Sequence, residues 1–392
     1  MSIRNNTVGT TEITPVETEV TRSEKQESRD FGRRRFRTLA SIQKIEWKRP
    51  IEGRDRIELC GVLGWQLITK KDEFHVGDLC VFIEPDAVLP DKPEFDFLRS
   101  KGFRIKTMKM AGCLSQGICF PLSILPDGTK TDIGTDVTEA LGITQFGETM
   151  DTDPVIADKK SRYPKFLMRM AWFRKLVLPK SESRAFPGFI SKTDETRIQS
   201  MPWVLTDKRR YIATEKVDGQ SGTFALVRRK SKIPFFRDKF EYIVCSRNCR
   251  LWNKDNSSYW RVSEKYNIEK TLRAMIGSYE WIAIQGECIA SNVQGNKYHV
   301  VEPDLFVFNL IYPTGRVDSM TAKGICEKNG LQFVPIVDTD YVMPDTVEEV
   351  LEYAHGESKL YPTLREGIVF RSYDGNYSFK AVDPLFLIKY DE

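Results

Sequence analysis

Histidine and paired cysteine are scarce in this chain. Only His75, His299 and His355 occur in 392 residues, and none of the eight cysteines has a Cys-x-x-Cys partner, so a structural zinc site is not expected. No apolar run approaches the length of a membrane span, which argues against membrane insertion. Without a secretion signal, the thiols, Cys245 and Cys249 among them, are expected to stay reduced in an intracellular compartment, cytoplasmic or nuclear. A charge bias is missing too: 59 Lys and Arg against 55 Asp and Glu leave +4, too little to mark a nucleic-acid binder by itself. The basic charge is instead local, in Arg33-Arg34-Arg35 with Arg37 and in the runs 101–109 and 228–237. Each run is either a phosphate-contacting surface or a solvated face.

Large apolar residues are also few in the first thirty positions, which are rich in Thr, Ser and Glu, so residues 1–33 are expected to be a disordered tail. Glu12, Glu17, Glu19, Glu24 and Glu27 argue against a mitochondrial presequence, which avoids acids. Strand-like runs at 57–62, 64–68 and 79–84, separated by Gly, Pro and Asp turn signals, predict a small β-barrel of the OB type over 34–130. Residues 131–162 read as a linker and 163–392 as a second domain, with a helix expected over 163–178. Two further helices are expected in that second domain. One spans 263–276, with Tyr266, Ile268, Leu272 and Met275 near one side. The other opens on a Thr346/Glu349 capping box and ends near Gly356.

The most informative segment is Ala213-Thr214-Glu215-Lys216-Val217-Asp218-Gly219. Tyr211-Ile212-Ala213 and the charged tail read as a strand whose two-residue period puts Lys216 and Asp218 on one face, within reach of one ligand. Gly219, lacking a Cβ, lets the chain turn and a phosphate or ribose come close. A lysine that attacks phosphorus must be neutral, yet at an ordinary pKa of about 10.4 roughly one in a thousand or fewer is neutral at pH 7. Lowering the pKa by about three units is worth about 4 kcal/mol, which burial beside a cation or a divalent ion can supply. A bare Lys-x-Asp-Gly is equally a solvated strand end with a turn.

Downstream segments follow in an order that resembles the covalent nucleotidyltransferase superfamily of polynucleotide ligases and capping enzymes. Val244-Cys245-Ser246-Arg247-Asn248, Trp281-Ile282-Ala283-Ile284-Gln285-Gly286-Glu287, Asp304-Leu305-Phe306-Val307-Phe308-Asn309 and Glu366-Gly367-Ile368-Val369-Phe370-Arg371 look like its successive motifs. The resemblance implies that Lys216 is the nucleophile and that Arg247 contacts the nucleotide sugar. It implies that Glu287 serves the ribose or metal-bound water, that Phe308 stacks on the purine with Val369 covering its other side, and that Glu366 faces a metal. Glu215 belongs to the same nucleotide-binding stretch. Each residue also has a plain structural alternative: an exposed arginine, a strand-end carboxylate, or a core aromatic for Phe306 and Phe308. The last motif departs from the family. Where two lysines one residue apart are usual, Ser378-Phe379-Lys380-Ala381-Val382 supplies only Lys380, with Lys389 as a possible second.

About a dozen residues follow Lys380, too few for a carboxyl-terminal barrel of roughly fifty or more, which points toward an RNA ligase. Gly77-Asp78-Leu79-Cys80-Val81-Phe82-Ile83-Glu84, Phe103-Arg104-Ile105-Lys106-Thr107, Gly112-Cys113-Leu114-Ser115-Gln116-Gly117 and the stretch Ser191 to Gln199 resemble one family of ATP-dependent RNA ligases. That family carries an OB domain before its catalytic domain, seals 3′-hydroxyl to 5′-phosphate ends, and uses the arginine matching Arg197 on the nucleotide phosphates. The resemblance implies an α+β chain with an amino-terminal OB barrel before a nucleotidyltransferase domain of antiparallel sheets and peripheral helices. ATP and Mg2+ or Mn2+ would be its cofactors, with Asp218, Glu287 and Glu366 reaching the metal through water and Lys380 and Lys389 on the α-phosphate. Its partner would be RNA, expected at nicks in duplexes under repair, and the protein a monomer. A DNA ligase, a capping-type guanylyltransferase and a non-catalytic RNA-binding relative are the alternatives.

Overall fold

The computed structural model describes residues 37–147, 185–207, 209–231, 237–252, 254, 257–375 and 377–390. The expected tail, the expected helix over 163–178 and the basic cluster Arg33-Arg34-Arg35 lie outside them. Residues from Arg37 onward cluster as one unit.

The first half is built of short strands: β1 Ala40–Lys44, β2 Trp47–Pro50, β3 Ile57–Val62, β4 Trp65–Lys70, β5 Leu79–Ile83, β6 Ala87–Val88, β7 Thr107–Met110, β8 Cys113–Gln116, β9 Ile118–Phe120 and β10 Thr144–Gln145. They pair antiparallel as β1-β5-β9, β2-β3-β4, β7-β8 and β10-β6. Strand alternation divides the core at β5. Val81 and Ile83 pack with Ile42, Leu98 and Leu141, while Cys80 and Phe82 pack with Trp65, Leu67 and Cys119. All eight cysteines are free thiols.

The start of the expected linker belongs to this barrel. Val137, Leu141 and Ile143 are buried in its core, helix α1 Thr138–Leu141 lies there, and β10 pairs with β6. The boundary moves because these three apolar side chains have a face to bury, which a reading of Asp, Thr and Gly content passes over. Residues 148–162 lie outside the described residues.

The second half contributes β11 Thr196–Arg197, β12 Arg210–Lys216, β13 Gln220–Arg229, β14 Lys239–Cys245, β15 Trp281–Ile289, β16 Asp304–Tyr312, β17 Gly315–Arg316, β18 Gln332–Phe333, β19 Ile336–Val342, β20 Gly367–Ser372 and β21 Ser378–Val382. One sheet runs β11-β21-β20-β12-β19; the other runs β14-β13-β15-β16-β17, with β18 beside β16. The pairing is antiparallel except for β11 on β21 and β18 on β16. Helices α2 Ser258–Lys265, α3 Ile268–Met275 and α4 Ser319–Lys328 pack on the second sheet, and α5 Val347–Ala354 packs on the first. The helix expected over 263–276 is in fact two, starting earlier and broken at Asn267, whose φ of 49° leaves the right-handed helical region. The capping box is formed as expected: Thr346 and Glu349 exchange both hydrogen bonds and open α5.

Barrel and second half meet through backbone and side chain. The Gly64 amide donates to the Gln199 carbonyl at 2.9 Å, and the Trp65 indole donates to the Ser200 hydroxyl at 3.1 Å. A Cβ on Gly64 would lie 2.9 Å from the Gln199 Cα, so glycine permits this approach.

Candidate active site

Register across the first sheet assembles one wall of a deep cleft. Arg197 on β11 pairs with Lys380 on β21, Lys380 with Val369 on β20, and Val369 with Thr214 on β12. Paired residues project to the same face, so a guanidinium, an ammonium, an apolar side chain and a hydroxyl line up in a row. Lys216 is two residues beyond Thr214 and shares that face. All five line a cavity of about 470 Å³, together with Asp218, Arg247, Glu287, Phe308 and Glu366.

Alternation sends Glu215 the other way. Glu215 contributes to the cleft wall, but its carboxylate is held by the Ser358 hydroxyl and by the Lys359 amide at 2.8 Å. Its expected contact with nucleotide therefore has no free carboxylate oxygen behind it.

Phe308 reaches the cleft because of a bulge. Gln285 pairs with Asn309 and Gly286 with Val307, leaving Phe308 as the extra residue on β16. A bulge re-aims the side chain it carries, so Phe306 stays in the core while Phe308, two residues on, turns into the cavity opposite Val369. Phe308, the ring expected to stack on the purine, thus lines the cavity, and Phe306 is a core aromatic.

Lys216 Nζ donates to Glu366 Oε2 at 2.5 Å. Burial pushes its pKa down, but Glu366, Glu287 and Asp218 together outweigh burial and hold it above the ordinary lysine value. Lys216 is thus an ammonium here, contrary to the lowered pKa that burial beside a cation would bring. The acids show the complementary strain. Burial first, then Glu366, pushes Asp218 up to about 6 even though Lys297 Nζ sits 2.5 Å away. Burial, with Glu366 adding to it, pushes Glu287 up to about 8 against the pull of Lys216 and the Ser221 hydroxyl at 3.1 Å. Burial and mutual repulsion disfavour charge on these acids, a penalty that a divalent ion would relieve. Among the described residues no three His, Cys, Asp or Glu side chains are placed to ligate one ion directly.

Gly219 is needed for packing between strands. A Cβ there would lie 2.7 Å from the Cys288 carbonyl of β15, so glycine lets the Lys216 strand end close against the second sheet.

The opposite end of the cleft is cationic and draws on the barrel. Arg37 and Arg104 line it alongside Arg197, Arg247 and Lys380. Burial, then Arg37, Lys216 and Arg197, drives Lys380 down to about 7. Asp86 anchors the group: it accepts from Arg197 and from Arg104, each at 2.9 Å, and despite burial these arginines and Arg37 hold it well below the usual carboxylate range. Arg197 keeps two buried N–H groups, Nε and Nη1, without a partner. Arg37 pairs with Glu84 and keeps its buried Nε without one. Arg247 pairs with Asp194, through Nε at 3.2 Å and through a second guanidinium nitrogen.

Lys389 does not join this group. On α6, Pro384–Tyr390, the residues that line the cleft are Phe386, Leu387 and Tyr390, and Lys389 lines a neighbouring cavity instead. Successive helical residues turn by roughly 100°, which carries Lys389 off the face that Phe386 and Tyr390 share. Sequence reading missed Arg37, Asp86, Arg104, Asp194 and Lys297 as site residues. In sequence Arg37 is part of a basic run, and Asp194 lies within the stretch Ser191 to Gln199.

Two family profiles match the chain: OB-fold domain over residues 39–122 and RNA ligase over residues 209–390. Among solved structures, Naegleria gruberi RNA ligase with PPi is 28% identical with a TM-score of 0.73, over 91% of this chain and 99% of that one. A glutamate-to-alanine mutant of that ligase with AMP and Mn is 27% identical at a TM-score of 0.72, covering 91% and 99%. A lysine-to-alanine mutant with ATP and Mn gives 27% and 0.72, covering 91% and 98%. No curated protein sequence matches the chain.

Proposed function

We propose that the chain is an ATP-dependent RNA ligase with an amino-terminal OB domain, which seals 3′-hydroxyl to 5′-phosphate ends, at nicks in duplexes, with Lys216 as the nucleophile. One observation carries the reading: Lys216 stands in a single cleft between three carboxylates on one side and the row Arg197, Lys380 on the other. In the first step the Lys216 nitrogen bonds to the α-phosphorus of ATP, the bond from that phosphorus to the bridging oxygen breaks, and pyrophosphate leaves. An oxygen of the RNA 5′-phosphate then attacks the same phosphorus, and the N–P bond breaks, returning the lysine. Finally the 3′-hydroxyl oxygen attacks the activated 5′-phosphorus, and AMP departs with the electron pair of the broken P–O bond.

The residues divide this work by charge. Phe308 and Val369 close on the two faces of the base, and Arg247 reaches toward the sugar. Arg197 with its free N–H groups, Lys380 and Arg37 hold the phosphates, Arg37 standing in for the lysine that Val382 replaces. Asp218, Glu287 and Glu366 would hold a divalent ion through water. That ion, when bound, supplies positive charge that competes with Lys216 for these carboxylates and draws charge from the α-phosphate. Were Glu366, Glu287 and Asp218 engaged by that ion, burial, which favours the neutral amine, and the neighbouring Lys380 would remain to act on Lys216.

Incubation with α-labelled ATP and magnesium or manganese should label the wild-type protein and not Lys216→Ala, and peptide mass spectrometry should find AMP on Lys216. Label on another residue, or persistent label in Lys216→Ala, defeats the proposal. Nicked duplexes with RNA or DNA on each side of the break then test the substrate, and a preference for GTP, or for breaks with no ribose, would favour a capping or DNA-sealing enzyme instead.

A further inference from the structure

A second cavity, of about 720 Å³, adjoins the cleft and shares Gln294, Lys297 and Tyr390 with it. Among the described residues no carboxylate lines it, whereas Lys297, Lys389 and His299 do. Its aromatic side is preformed: the rings of Tyr298 and Tyr361 stack at 4.7 Å and 27°, and Tyr390 is tied to Thr363 at 3.0 Å. The loop that builds one rim is strained, with Gln294, Asn296 and His299 at φ of 47°, 49° and 53° around Gly295 at 67°. Left-handed backbone at three non-glycine positions costs of order 1–3 kcal/mol each and persists where the surroundings over-determine it. Here they do, since the loop delivers two contacts to one catalytic carboxylate residue: Lys297 Nζ to the Asp218 side chain at 2.5 Å, and the Tyr298 hydroxyl to the Asp218 amide at 2.8 Å.

Cations without acids select an anion, and tyrosine rings beside them select a flat partner. A chain of nucleotides presents both at regular spacing. Resting on the RNA-ligase reading above, we propose that this cavity is a subsite for RNA next to the break, with Lys389 and His299 on a backbone phosphate and Tyr361 and Tyr390 against the adjoining nucleotide. Lys389 thereby acts on the RNA backbone, and the α-phosphate of ATP is left to Lys380 and Arg37. The contacts to Asp218 make the arriving strand part of the same rigid wall as the catalytic acid.

The test is direct binding of a nicked RNA duplex to the full chain, read by fluorescence anisotropy over a salt series and therefore independent of catalysis. Lys389→Ala should weaken binding roughly fivefold or more and lower the slope of log K against log salt by about one, with Lys389→Arg restoring both. Single methylphosphonates, walked along the 3′-hydroxyl strand and then the 5′-phosphate strand, should remove the effect of Lys389→Ala at one position, which identifies the strand. Unchanged affinity and slope in Lys389→Ala, or an effect that survives every methylphosphonate, overturns the proposal. Labelling of Lys389→Ala by ATP should stay within about twofold of wild type, and a parallel loss of labelling would place the lysine at the nucleotide instead. A wild-type chain that takes no label would defeat the ligase reading alone, because the binding series still decides the subsite.

Discussion

Replacing Lys380 by methionine is expected to stabilise the protein while disabling it. An ordinary lysine titrates near 10.4, and burial among Arg37, Lys216 and Arg197 brings this one to about 7. At 1.36 kcal/mol per unit, a gap of about three units corresponds to roughly 4 to 5 kcal/mol against keeping the ammonium charged in the fold. Water in the cleft screens the partly exposed group, and halving the figure leaves about 2 kcal/mol. The sign follows from a base whose folded pKa is depressed. The cost is present in full below about pH 7, where both states are charged, and fades as pH rises toward the unfolded value near 10.4. Methionine keeps the length and drops the charge, so Lys380→Met should melt higher than wild type at pH 6, by a margin that shrinks at pH 9. Pyrophosphate should raise the melting point of wild type more than that of the variant, because the crowded cations are what it neutralises. Labelling by ATP should fall by about a hundredfold or more, the usual loss for a preorganised charge at a transition state. Thermal scans at the two pH values decide the matter. A variant less stable at pH 6, or a margin flat with pH, refutes the picture of a cation cluster held under strain for a polyphosphate.

Arg37→Ala is expected to slow labelling by ATP about a hundredfold although the residue belongs to the barrel half, with Arg37→Lys recovering part of it, as single-turnover labelling would show. A loss confined to RNA joining would remove Arg37 from the phosphates. Gly219→Ala must move the Lys216 strand end away from the Cys288 carbonyl, at a cost of about 1–3 kcal/mol in stability. Labelling should fall at least tenfold with it, since a displacement of about 1 Å can cost a hundredfold. A variant that melts and labels like wild type would show that the approach relaxes freely.

Much of the site is legible along the chain because its residues sit on or beside strands, where local pattern carries them. Lys216, Glu287, Val369 and Lys380 are each preceded or followed by a run with a two-residue period, and that period puts Lys216 with Thr214 and turns Glu215 away. The Thr346/Glu349 box is legible for the same local reason. Whatever breaks a period is not. The bulge that frees Phe308 depends on the strand opposite, and the turn at Asn267 depends on how α2 and α3 meet the sheet. Lys389 reads as a plausible second lysine because distance in sequence hides the rotation of α6.

By itself, the order of residue types along this chain determined the kind of chemistry: a lysine, three acids and scattered cations on strands, the parts of nucleotidyl transfer. Tertiary structure alone decided which cations gather in the cleft. Arg37, Asp86 and Arg104 come from the barrel, more than a hundred residues from Lys216, and enter the cleft only because the barrel docks on Gln199 and Ser200. It also decided the charge of Lys216, since a pKa depends on distances in space: Glu366, Glu287 and Asp218, far apart in sequence, hold Lys216 protonated.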